Sequence, residues 1–129
     1  MSSFTNAQET DVLTHFFTTA TAPTRPTAWH VSLHTADPGE TGSTATEVTE
    51  SAYARRPVTF TVAADNASND AAIEFASATG SWGTITHVGV NTLITGGTML
   101  AYGALTASRA VASGDVLRIQ TGDLDINMS

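Results

Sequence analysis

Four histidines, twelve carboxylates and one Gly-Gly turn are the residues in this sequence that could carry chemistry, and cysteine is absent. Without a thiol, thiolate nucleophiles, disulfides and thiolate metal sites are all excluded. His30 and His34 have the i, i+4 spacing that holds one metal ion on a helix. Trp29, Val31 and Leu33 alternate with them, however, and that is a strand pattern. On a strand the two rings stand about 13 Å apart, at ~3.3 Å rise per residue. His15 falls in a helical stretch and His87 in another strand, so the four read as solvated or hydrogen-bonded structural side chains. Asp37, Glu40, Glu47 and Glu50 supply the oxygen donors that calcium takes, without the D-x-D-x-D-G spacing that converges them on one point. Whether the loop 36–50 takes an ion is left open. Asp65, Asn66, Asn69 and Asp70 read as turn residues. No G-x-S-x-G elbow is present, and Thr95-Gly96-Gly97-Thr98 lacks the lysine of a phosphate loop. The expectation is no catalytic residue, no metal, no cofactor and no enzymatic activity.

Two further groups look suited to contacts. In Tyr53-Ala54-Arg55-Arg56-Pro57, two of the five cations stand between an acidic loop and a strand. They could clamp a partner, or pair internally with Glu47 or Glu50. Val12, Leu13, Phe16 and Phe17 form one apolar helical stripe. Docking of that stripe on the flank of its own domain is the expectation, with a partner contact as the other reading. Arg55, Arg56 and the four stripe residues are therefore the candidate interface.

The elements that would position these residues are mostly strands. A helix spans about 6–17, with Asn6 and Glu9 at capping-box spacing. Pro23 and Pro26 make the next stretch an extended connector. From about 28 to 128 the period is two. Strands are predicted over 29–33, 57–62, 71–76, 84–91, 99–105, 116–120 and 124–128, and Asp65 to Asp70 is predicted as a turn. The stretch 36–51 is predicted as a long exposed excursion. Seven to eight short antiparallel strands with one N-terminal α-helix predict a mainly β fold, a β-sandwich or jelly-roll-like domain filling 1–129.

Composition narrows the function classes. With 5 Arg against 12 Asp+Glu the formal net charge is −7, which disfavours nucleic acid and anionic membranes. Only 13% of residues are charged, suiting faces that meet other protein faces. No run is long enough for a membrane span, and Met1 to Phe4 carries no secretion pattern, so synthesis in a cytoplasm is expected.

The run from Val31 to Gly42 (VSLHTADPGETG), Tyr53 to Val58, Ala78 to Val90, Gly97 to Leu105, and Gly114 to Ile119 with Gly122 to Ile126 together resemble the small structural proteins of tailed bacteriophages. The resemblance implies a virion protein with no enzymatic motif. The reading preferred on sequence is a capsid cement or decoration protein on the outer capsid surface, a homotrimer bound to the major capsid protein. The alternative is a tail-fibre or tail-tip module that helps recognise the host surface.

Overall fold

The computed structural model describes residues 3–128. Ten strands and one helix follow in the order β1 (Ser3–Phe4), α1 (Asn6–Phe17), β2 (Trp29–His34), β3 (Arg56–Val58), β4 (Phe60–Ala63), β5 (Asn66–Asn69), β6 (Ile73–Glu74), β7 (Gly83–Asn91), β8 (Met99–Val111), β9 (Arg118–Ile119) and β10 (Asp125–Asn127). They form a five-stranded sheet ordered β1-β8-β7-β2-β3, a three-stranded sheet β10-β5-β4 and a pair β6-β9. Every strand pairing is antiparallel. The result is mainly β and sandwich-like, as the alternation predicts. Its core lies between the sheets, where Val31, Leu33 and Ile85 from the large sheet meet Ile73, Phe75 and Leu124.

Several local expectations are corrected. The helix cap is Thr5, not Asn6: the Gln8 backbone N–H donates to Thr5 Oγ1. The Thr5 hydroxyl donates in turn to the Met99 carbonyl at 2.6 Å, so the cap also roots the helix on β8. β2 is not half-buried, since Val31, Ser32, Leu33 and His34 are all buried. The predicted strand 57–62 breaks at Thr59, and its halves join different sheets. The expected turn 65–70 is instead mostly strand β5. The reversal falls at Ala64 and Asp65, where Ala64 takes φ +53°, a backbone region that L-residues avoid.

The stretch 36–51 is exposed along much of its length, as expected, but it is not a free excursion. β3 pairs with β2 only along 29–31, which leaves the Leu33 peptide groups without a strand beside them. The chain returns and covers them: Val48 N–H donates to the Leu33 carbonyl at 3.1 Å, and Leu33 N–H donates to the Tyr53 hydroxyl at 3.0 Å. Val48 is buried and Pro38 is buried with it, so this segment is a strap along the edge of β2 that β3 leaves open. The strap exists because buried backbone groups need partners.

Candidate functional site

Beneath the strap lies the densest set of ionisable side chains. Arg55 is 4% exposed and forms a two-pronged pair with Glu47, Nε to Oε2 at 2.8 Å and Nη2 to Oε1 at 2.8 Å. Its Nη1 donates to the carbonyls of Leu93 and Gly96, tying the strap to the β7–β8 loop. The Tyr53 hydroxyl donates to Glu47 Oε2 at 2.7 Å. Burial opposes the Glu47 charge, yet the hydrogen bonds from Arg55 and Tyr53 prevail and hold its carboxyl below the usual range. Glu47, through its hydrogen bonds and charge, raises the Arg55 guanidinium, and burial pushes the Tyr53 phenol up.

Next to this pair sits a buried serine–histidine contact. Ser32 Oγ lies 2.8 Å from His34 Nε2, Asn91 Nδ2 donates to Ser32 Oγ, and Thr46 Oγ1 lies 2.9 Å from His34 Nδ1. A hydroxyl beside an imidazole is the contact from which a nucleophile can be activated. Here both residues are 0% exposed. A Cβ added at Gly89 would lie 2.8 Å from Ser32 Oγ and 2.7 Å from the Met99 methyl, so no substrate-sized space adjoins the hydroxyl. Burial pulls His34 down to about 4, with Arg55 and His87 acting in the same direction and Glu47 against it. The imidazole is therefore neutral near pH 7, and the cluster joins strap to sheet.

The acidic loop does not converge on a point. Asp37 accepts from the Gly39 N–H, and Glu47 is held by Arg55 and Tyr53. Glu50 accepts from Ser51, Ala52, Thr79, Gly80 and the Trp82 indole, which staples the loop 77–83 to the strap. These bonds, Ser51's foremost, lower its carboxyl pKa. Among the described residues no group of three or more His, Asp or Glu side chains could hold a metal ion. Trp82 is buried against Tyr53 and Phe75, so it belongs to the core.

The sequence-derived interface residues separate. Arg55 as a clamp on a partner is corrected: of the two readings, the structure holds the internal one, and its donors are taken up by Glu47 and the β7–β8 loop. Arg56 is exposed on β3, the outer strand of the large sheet. The expectation that the helix stripe docks on its own domain is also overturned. No residue of α1 is buried, and Leu13, Phe16 and Phe17 are 57%, 70% and 78% exposed. Val12 is half-buried, facing a cleft of about 270 Å³ between α1 and the connector at Pro23 and Pro26. Sequence reasoning missed Tyr53 as an edge-completing hydroxyl and Glu50 as a loop staple. The only signal for either was a polar residue beside an apolar strand.

Among the described residues no helix is long and apolar enough to cross a membrane. What this β-rich architecture presents outward is the helix face, the outer strand and a groove of about 530 Å³ between β8 and the 117–125 segment. Residues 3–127 match a family of phage proteins, and the class is that of virion structural proteins of tailed bacteriophages. The chain belongs to the family described as Podophage GP4 fiber I protein gp80. No curated protein matches it.

Proposed function

We propose that this protein is a non-catalytic part of the tail-fibre apparatus of a podophage, joined to neighbouring virion subunits through its surfaces. The observation that carries the reading is the match to a family described as a fibre protein over residues 3–127. The geometry supports it in two ways. The most buried ionisable side chains lie under the strap, engaged with one another, whereas three of the eight large apolar side chains exposed among the described residues, Leu13, Phe16 and Phe17, stand together on α1. An uncovered apolar helix face fits a component that is completed by assembly.

The capsid-decoration reading, favoured on sequence alone, rests on the compact, charge-poor β domain and gives a different copy number. Purified particles labelled with gold-conjugated antibody against this chain should carry label at the tail, a few copies each. Label spread over the head would favour decoration instead. Polysaccharide hydrolysis by the purified protein, abolished by a substitution that leaves the fold intact, would remove the non-catalytic part of the proposal.

A further inference from the structure

The groove between β8 and the 117–125 segment owes its shape to an irregularity in the large sheet. Thr86 alone separates Ile85 from His87 on β7, while Leu105 to Ser108 separate their partners Ala104 and Arg109 on β8. These four residues bow out of the ladder as a bulge, a device that re-aims side chains and ends pairing. On its other edge β8 meets β1 only at Ala101 and Tyr102, so the bulge has no strand beside it on either side. Leu105, Thr106 and Ala107 of the bulge line one wall of the groove, and buried Val88, Leu117 and Leu124 form an apolar floor. The rim is polar and mixed in sign. Arg109 and Arg118 bring donors; Asp123 and Asp125 bring acceptors. Much of this capacity is unspent. The Arg109 guanidinium donates to the Arg118 carbonyl at 3.4 Å and has no carboxylate partner among the described residues. Arg118 meets Glu74 at 3.7 Å, with both side chains more than half exposed. Asp125 accepts from Ser68 and Asn66 through one oxygen, and among the described residues no hydrogen bond reaches the Asp123 carboxylate.

We infer that this groove takes an extended peptide segment of a neighbouring virion subunit, with an apolar side chain on the floor and the main chain along the rim. The inference rests on the reading of this chain as a part joined to its neighbours through its surfaces, and it names one such surface and what fills it. An extended main chain presents N–H and C=O groups along both edges and sends alternate side chains to one face. A rim of guanidinium donors and carboxylate acceptors over an apolar floor is the complement of that pattern. The unpaired bulge adds main-chain groups of its own, as an open strand edge does. At about 530 Å³ the groove has the capacity of a small-ligand site, enough for a short stretch of chain. Other occupants fit less well. A polyanion would meet two carboxylates, and a sugar ring would find no face to stack on, because none of the described residues lining the groove is aromatic.

An array of overlapping short peptides tiling the proteins of the purified particle, probed with the full chain, tests this. Peptides that bind should carry Val, Ile or Leu, and fluorescence anisotropy then measures each against variants of the groove. Ala107→Trp fills the groove from an exposed wall position, and Arg109→Ala removes donors from the rim; each should weaken binding about tenfold or more. Arg56→Ala, at the far edge of the large sheet, should leave it unchanged. Circular dichroism checks that each variant keeps its fold. N-methylation of alternate amides in a bound peptide should abolish binding in one register and spare it in the other, as main-chain recognition requires. No bound peptide, binding indifferent to Ala107→Trp or Arg109→Ala, or equal binding in both methylated registers overturns the inference. So does an oligosaccharide, found on a parallel glycan array, that occupies the groove in place of any peptide. Gold label over the head would overturn the tail location and leave peptide binding by the groove standing, so the two readings fail separately.

Discussion

His34 and Arg55 show what single residues contribute under the strap. Burial lowers His34 from 6.5 to about 4. Between those values the unfolded chain binds a proton that the folded one refuses, so stability falls as pH falls. The contribution is complete above pH 6.5 and gone near 4, about 3 kcal/mol in all. Glu47, held low, adds its own loss below the usual carboxylate range. Denaturant titrations from about pH 7.5 to 4 should show this slope, and His34→Gln should flatten its upper part. An unchanged slope in that variant would place the effect elsewhere. Arg55 is the second test. Its removal by Arg55→Met strands Glu47, whose side chain is 13% exposed, and should cost about 3–5 kcal/mol. Adding Glu47→Gln to Arg55→Met should recover part of that loss in a double-mutant cycle. A loss within about 0.5 kcal/mol, as for an ordinary surface change, would mean that the pair does not hold the strap.

At the scale of elements, the hairpin β4–β5 turns on Ala64 at φ +53°. Ala64→Gly removes the Cβ conflict and adds unfolded-chain entropy, leaving a net gain of about 0.5 kcal/mol, visible as a higher denaturation midpoint. A loss would mean that the alanine methyl is packed and not strained. The helix root gives the opposite sign. Thr5→Val deletes both the cap to Gln8 and the bond to Met99, a loss of about 1–2 kcal/mol concentrated in α1. Hydrogen exchange should quicken across Asn6–Phe17 while β7 amides stay protected. Equal quickening in both would show the helix to be part of the global unfolding unit. These elements also show how far the sequence is readable. The alternation at Trp29–His34 and Gly83–Asn91 marked the central strands, because burial imposes a period of two on side chains. The same alternation misjudged Ser32 and His34, which look solvent-facing until the strap returns over them. Asn66–Asn69 failed for a related reason: its polar residues carry turn propensity, yet Asn69 is buried, donating to Ala71 and Gln120 and accepting from Leu124. The Glu47–Arg55 pair was visible only as one of two alternatives, since a loop's path decides which charges meet.

For the whole molecule, the family match carries the functional account, and the division between a buried polar cluster and an uncovered apolar helix face supports it. Side chains able to do chemistry hold the strap, the β7–β8 loop and the 77–83 loop to one another. The outward features are a helix face, an outer strand and a groove. Such a molecule fits work done by contact, and the family to which it belongs contains structural proteins of the phage particle. The central claim is that this chain is a tail-associated component of that particle. Gold labelling of intact purified phage with antibody against the chain, with counting of copies per particle, tests it most directly. The account predicts label at the tail and a few copies per particle. Label over the head in hundreds of copies, or a particle without the protein, would contradict it.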